Sequence, residues 1–284
     1  MTLRTQFFTL TLQIPFHSSS SSFSVTIPGK TSTHSLLSLW RPLSYSTTSS
    51  SAAAIPPSPP PALLRMVLFV PPGVEPHEVN ESMVLPGSNI IIGPYAGDAR
   101  IKGVEFVKSS GRAKDCPKDD RPEFAILGRS NVGKTQLINH FLVNKSWYLV
   151  DLPGYGFAKA PEAAKMDWCS FTKEYFLNRD TLVAVLLLID ASVPPQKIDL
   201  DCANWLGRNN LHGFQIPITF VFTKCDKMKV AKGKRPDENI RDFQEIIRQN
   251  YKIHPPWIMT SSVSGMGRDE LLLHMSQLRN YWDQ

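Results

Sequence analysis

The stretch that most restricts what this chain can fold into is an eight-residue turn, Gly128-Arg129-Ser130-Asn131-Val132-Gly133-Lys134-Thr135. It is entered from the apolar run Phe124, Ala125, Ile126 and Leu127. Its two glycines let backbone N–H groups turn inward as an anion-binding nest. Lys134 reaches the outer phosphates of a nucleotide, and the Thr135 hydroxyl is a candidate Mg²⁺ ligand. Seventeen residues after Lys134, behind a second apolar run from Trp147 to Val150, comes Asp151-Leu152-Pro153-Gly154. A D-x-x-G in that position suits an outer-sphere Mg²⁺ aspartate and a glycine whose N–H meets a γ-phosphate.

From Pro122 onward the pattern alternates. Unbroken apolar runs predict strands over 181–190, 216–222 and 257–261. Helices are predicted over 161–178, 200–209, 237–251 and 267–281, the first with Met166, Trp168, Phe171, Tyr175 and Phe176 on its apolar side. Alternation of this kind implies a mostly parallel sheet with helices on both faces, and such sheets bind ligands at the carboxyl ends of their strands. Each motif falls at such an end.

Thr223-Lys224-Cys225-Asp226 follows directly on the strand predicted over 216–222, 72 residues after the D-x-x-G. A carboxylate held there accepts two hydrogen bonds from guanine, from N1–H and the 2-amino group. Adenine offers no such pair, so Asp226 selects GTP and argues against an ATPase of another phosphate-loop class. Lys224 lays its aliphatic stem along the base. Thr260-Ser261-Ser262, after the next strand, fits the loop in which a backbone N–H meets guanine O6.

Gly-Arg-Ser-Asn-Val-Gly-Lys, Gly-Lys-Thr-Gln-Leu-Ile-Asn-His-Phe, Asp-Leu-Pro-Gly-Tyr-Gly and Thr-Lys-Cys-Asp together resemble the EngB GTPases, specifically a plant organellar member. The resemblance covers about residue 100 to the C-terminus. It implies an α/β, Ras-like phosphate-loop GTPase fold, Mg²⁺-dependent GTP binding, slow hydrolysis, and a role in assembling the large ribosomal subunit, with a link to cell division. In such GTPases the residue after the D-x-x-G glycine is often a catalytic glutamine. Here it is Tyr155, and no catalytic residue is assigned. Asn131 matches a phosphate-loop asparagine with which related GTPases hold an activating K⁺.

The chain departs from the resemblance at one place. Family members carry a helix and a switch between the phosphate loop and a second Gly-Lys-Thr-Gln-Leu-Ile-Asn segment, and here the two Gly-Lys pairs are fused at Gly133-Lys134. Thr135 then stands for both the phosphate-loop and the switch hydroxyl, and roughly twenty residues are missing by that resemblance. A phosphate loop needs a helix behind it, whose N-terminal N–H groups and dipole help hold the anion. Seventeen residues cannot supply a helix, a switch and two strands. Residues 135–144 therefore form either a short helix, with Leu137, Ile138, Phe141 and Leu142 on one face, or an edge strand; the helical spacing is weighted slightly higher. A GTP-binding assembly factor and a nucleotide-incompetent variant, acting at most through RNA or ribosome contact, both stay open.

Residues 1–65 differ in kind. Serine and threonine dominate, a proline tract closes the segment, and no acidic residue precedes Glu75. That is the composition of an organelle transit peptide, plastid before mitochondrion. Residues 66–120 read as an arm and linker of short strands, and 121–284 as the nucleotide-binding domain. The net charge of +6 includes a basic loop, Lys227, Lys229, Lys232, Lys234 and Arg235, that suits either solvent or ribosomal RNA. The four cysteines are too widely spaced for a zinc site or a disulfide framework, so core thiols are expected.

Overall fold

The computed structural model describes residues 13–15, 65–129, 137–155, 172–176, 178–208, 217–228, 237–251 and 254–284. Its main sheet has seven strands: β1 Val104–Ser110, β2 Glu123–Gly128, β3 Ile138–Val143, β4 Trp147–Asp151, β5 Leu182–Asp190, β6 Ile218–Thr223 and β7 Trp257–Met259. The strands lie in the order β1-β3-β4-β2-β5-β6-β7. β2 pairs parallel with β4 and β5, β5 with β6, and β6 with β7; β3 pairs antiparallel with both β1 and β4. Helices α1 Lys197–Arg208, α2 Glu238–Arg248 and α3 Arg268–Trp282 complete the frame. The expected α/β fold, mostly parallel with helices on both faces, is the one observed. None of the helices is long and apolar enough to cross a membrane, among the described residues.

Successive residues of the buried strands serve opposite faces, as the pleat requires. Val185, Leu187 and Ile189 of β5 join Cys202, Ala203 and Leu206 of α1 and Ile240, Phe243 and Ile247 of α2. Ala184 and Leu186 instead join Met275 and Leu278 of α3. Cys116, Cys202 and Cys225 are buried, as expected of core thiols, and Cys169 lies outside the described residues.

One segment differs from expectation. The helical spacing over residues 135–144 is overruled: 138–143 is strand β3, and residues 130–136 lie outside the described residues. The reason is pairing. Helical residues there would strip β1 and β4 of their shared neighbour, whereas the strand buries Ile138 and His140 completely. Asn144 and Lys145, at φ of 52° and 57°, form a primed turn in which the Ser146 N–H donates to the Val143 carbonyl at 3.0 Å. Turns of that twist join antiparallel strands. The Asn144 side chain also holds the chain ahead of β1, accepting from the Lys102 N–H at 2.7 Å and donating to the Arg100 carbonyl at 2.8 Å. β3 is not the sheet edge either, because β1 lies outside it.

The arm read over 66–120 is built into the core. Leu68, Ile90 and Ile91 are fully buried, and Phe69, Leu85 and Ile90 pack with Ile258 and Met275. A buried polar chain fastens this segment to α3. Gln277 Oε1 accepts from the Gly93 N–H at 3.0 Å, while its Nε2 lies 3.3 Å from His274 Nδ1. Nδ1 must then accept, which leaves the proton on Nε2, 3.0 Å from the Thr219 hydroxyl.

That arrangement needs a neutral ring. Burial lowers the His274 pKa from 6.5 to about 3, and burial followed by the Arg179 charge lowers that of His140 to about 4. Both groups are depressed in the folded state, so their contribution is complete above pH 6.5 and is lost as pH falls toward 4. Each histidine sets an upper limit of about 1.4 kcal/mol per pH unit in that window. The urea midpoint of the chain is expected to fall clearly between pH 7 and pH 5. A midpoint constant across that interval would contradict the assignment.

Candidate functional site

The carboxyl ends of β2, β4, β5, β6 and the turn after β7 meet along one edge of the sheet, and there the structure gathers the sequence motifs. Gly128 closes β2 against β5, so close that an added Cβ would lie 3.2 Å from Leu188 Cβ. Arg129 follows as an exposed residue. Ser130, Asn131, Val132, Gly133, Lys134 and Thr135 lie outside the described residues. Asp151 ends β4 with its side chain exposed, Leu152 and Pro153 are buried, and Gly154 is half-buried. Behind Gly154, the Tyr155 N–H donates to the Gly128 carbonyl at 3.0 Å. The D-x-x-G loop is therefore stitched to the entrance of the phosphate loop.

The Thr223–Asp226 and Thr260–Ser262 segments are joined directly. Thr223 ends β6 and donates its hydroxyl to the Ile189 carbonyl at 3.2 Å. Lys224 adopts φ 58°, a left-handed turn that swings the chain over the sheet edge. Cys225 is buried, its N–H donating to the Thr260 carbonyl at 3.1 Å, and burial pushes its thiol up to about 11, so it is an inert packing group. The Ser261 hydroxyl donates to Asp226 Oδ1 at 2.5 Å. The same oxygen of Ser261 accepts from the N–H groups of Val263 and Ser264, each at 3.2 Å. Ser261 is thus fixed from both sides, and it aims one oxygen of an exposed Asp226 while leaving the other for a ligand. Thr260 is tied to the Phe222 carbonyl through its N–H and its hydroxyl, and Ser262 is exposed.

Two acidic residues that the motif reading passed over complete the site. Asp190, at the end of β5, accepts from the Ser192 N–H at 3.0 Å and the Ser192 hydroxyl at 2.6 Å. Its other oxygen pairs with Lys224 Nζ at 2.5 Å. Burial acts against its ionisation, but the bonds from Lys224 and Ser192 hold its carboxyl below the usual range. Asp199, in the first turn of α1, is fully buried. Its Oδ1 takes the Tyr155 hydroxyl at 2.8 Å and Arg129 Nε at 3.2 Å. A sequence signal for Asp199 existed: with Cys202, Ala203 and Leu206 it occupies the apolar stripe of α1, where a carboxylate has no packing reason to be. Of the basic loop, Lys227 is exposed and residues 229–236 lie outside the described residues.

No protein-family model matches the chain. It is 72% identical to a GTP-binding protein of Arabidopsis thaliana, over 78% of this chain and 79% of that one. It is 36% identical to a probable GTP-binding protein EngB of Christiangramia forsetii, over 64% of this chain and 98% of that one. With the protein of the same description from Bacteroides fragilis the identity is 38%, over 63% and 96%. The Arabidopsis match extends over 242 positions yet takes in 78% of 284 residues, about 222, so about 20 positions find no counterpart here. Among solved structures, Era in complex with MgGDPNP and nucleotides 1506–1542 of 16S ribosomal RNA aligns with a TM-score of 0.38 and 16% identity. That match covers 55% of this chain and 56% of the other.

Proposed function

The chain belongs to the EngB family of GTP-binding proteins, and from that premise we propose that it binds guanine nucleotide along the sheet edge, with Asp226 reading the base. The observation that carries this is the 2.5 Å bond from Ser261 to Asp226, which pre-sets the carboxylate before any ligand arrives. A carboxylate fixed in place loses little orientational freedom on binding, and preorganisation of that kind favours affinity. Lys134 and the phosphate-loop N–H groups take the phosphates. Asp151 and Thr135 suit Mg²⁺: the exposed carboxylate at the end of β4 fits an outer-sphere ligand, and the ion supplies charge neutralisation to the phosphates. Asn131 is the candidate K⁺ ligand, hydrolysis is slow, and the product state is GDP. The biological setting we propose is large ribosomal subunit assembly in a plastid, or else a mitochondrion, to which residues 1–65 direct the chain. The basic loop at 227–235 meets ribosomal RNA.

Asp226→Asn is expected to weaken GTP binding about 10²- to 10³-fold, because one hydrogen bond to the base is lost, the other loses its charge assistance, and an amide donor faces a guanine donor. Competition titration with ATP measures the same change as lost discrimination. Equal affinity of the unmutated chain for ATP and GTP would remove the base-reading role.

One observation favours a second reading, a nucleotide-incompetent module. β3 begins at Ile138, so only residues 135–137 separate Lys134 from the strand. No helix fits in three residues. The positions without counterpart in the Arabidopsis alignment agree in number with a helix and switch. Titration of fluorescent GTP with Mg²⁺ and excess ATP decides between the readings. Micromolar, ATP-resistant binding supports the first; a folded chain that binds nothing supports the second. In the second case, inserting a helix and switch after Lys134 is expected to restore Mg²⁺-dependent binding.

A further inference from the structure

Five side chains drawn from four stretches of the chain form one line along the sheet edge. The Tyr155 hydroxyl donates to Asp199 Oδ1 at 2.8 Å, and Arg129 Nε lies 3.2 Å from that same oxygen. Arg129 Nη2 then lies 3.9 Å from Asp190 Oδ2, which Lys224 Nζ approaches to 2.5 Å. The line thus starts behind the D-x-x-G glycine, crosses the phosphate-loop arginine and ends on the lysine of the base-reading motif. Its centre is dry. Asp199 and Tyr155 are buried, and Asp199 Oδ2 has no hydrogen-bond partner among the described residues. A buried carboxylate held by only one of its oxygens is costly to keep, and its loss would leave Arg129 without its nearer partner. Burial also pushes the Tyr155 hydroxyl well up, so it stays protonated and always donates.

We propose that Asp199 is a positioning residue that couples the D-x-x-G loop to the phosphate loop, holding Tyr155 and Arg129 on one oxygen so that Gly154 stays where a terminal phosphate can meet its N–H. This rests on the guanine-nucleotide reading above. Its physical content is that Tyr155 is fixed twice, by its N–H on the Gly128 carbonyl and by its hydroxyl on Asp199. The loop cannot leave the phosphate loop without breaking both bonds, and the pair with Arg129 keeps the Asp199 oxygen in place to receive the tyrosine. Tyr155 occupies the position where related GTPases often carry glutamine, and here it serves as an anchor.

The test compares GTP with GDP affinity, because a group that only stabilises the fold moves both alike. Asp199→Ala and Tyr155→Phe are each expected to lower the GTP-to-GDP affinity ratio about tenfold, the size of one charge-assisted hydrogen bond. The double variant should be no worse than either single one. Asp199→Asn keeps an acceptor for the tyrosine and should recover most of the ratio. Equal losses for GTP and GDP, or additive effects in the double variant, overturn the proposal. If the unmutated chain binds neither nucleotide, the guanine-nucleotide reading fails and the coupling is judged in the nucleotide-free chain by amide exchange. Exchange at Tyr155 N–H should then speed up in Asp199→Ala and Tyr155→Phe, but not in Asp201→Ala, whose exposed side chain pairs with Lys197. Unchanged exchange at Tyr155 in the first two variants overturns the coupling.

Discussion

Gly267→Ala is expected to destabilise the chain by roughly 2–5 kcal/mol and to disturb the proposed base recognition at the same time. Gly267 stands at the N-terminus of α3 with φ 74°, a conformation that costs a non-glycine residue about 1–2 kcal/mol. The larger part is steric. A Cβ there would lie 1.9 Å from the Met259 carbonyl oxygen and 3.1 Å from Thr260 Cγ2, so backbone must shift, at a cost of a further ~1–3 kcal/mol. The backbone that shifts is the end of β7 and the start of the Thr260-Ser261-Ser262 loop. Ser261 holds Asp226, so the displacement reaches the base-reading carboxylate. Gly265 provides the comparison: its φ is 77°, but an added Cβ meets nothing within 4 Å. Gly265→Ala should therefore cost only the strain, about 1–2 kcal/mol. Urea unfolding of both variants measures the difference. Equal losses in the two would refute the steric argument.

The second large effect is expected at the opposite end of β2. Glu123 is fully buried and accepts three hydrogen bonds from two partners. Tyr175 donates its hydroxyl to Oε2 at 2.8 Å, Arg179 Nε donates to the same oxygen at 3.0 Å, and Arg179 Nη2 binds Oε1. His140, also fully buried, has Nε2 3.7 Å from Oε1. The cluster joins the start of β2, the helical residues 172–176, the turn before β5 and β3. Glu123→Ala strands a guanidinium whose side chain is only 10% exposed and leaves a buried phenol without its acceptor. Removing one partner of a buried ion pair typically costs about 3–5 kcal/mol, and that is the loss expected here. Glu123→Gln, which keeps an acceptor for Tyr175 but not the charge for Arg179, should fall between. The denaturant midpoint of the full chain is the measurement. A Glu123→Ala variant within 1 kcal/mol of the parent, on the scale of an exposed pair, would show that the cluster is solvated.

Neither effect is visible in a motif. Gly267 is one glycine in a Gly-Met-Gly run, and the 1.9 Å approach to Met259 exists only because β7 and α3 meet there. Glu123 looks like a charged residue ahead of an apolar run, and its partners come from more than fifty residues further on.

What the sequence determined by itself is whatever depends on local chemistry and on period. The apolar runs fixed the buried parallel strands, since a strand covered on both faces has no polar alternation to show. The four motif segments announced their places at strand ends, and Thr223 to Asp226 and Thr260 to Ser262 proved to touch through Asp226 and Ser261. The tertiary structure alone decided the rest. Residues 138–143 carry apolar positions compatible with a helix or a strand, and period cannot choose between them. The choice came from β1 and β4, two neighbours whose backbone groups need that strand between them. Asp190 and Asp199 stayed silent for a similar reason: an acidic residue becomes part of a site only when Arg129, Tyr155 and Lys224 arrive beside it, and those come from segments 34 to 70 residues away. Hydrogen bonding and charge pairing between distant segments, unlike hydrophobic period, leave no local trace in the chain.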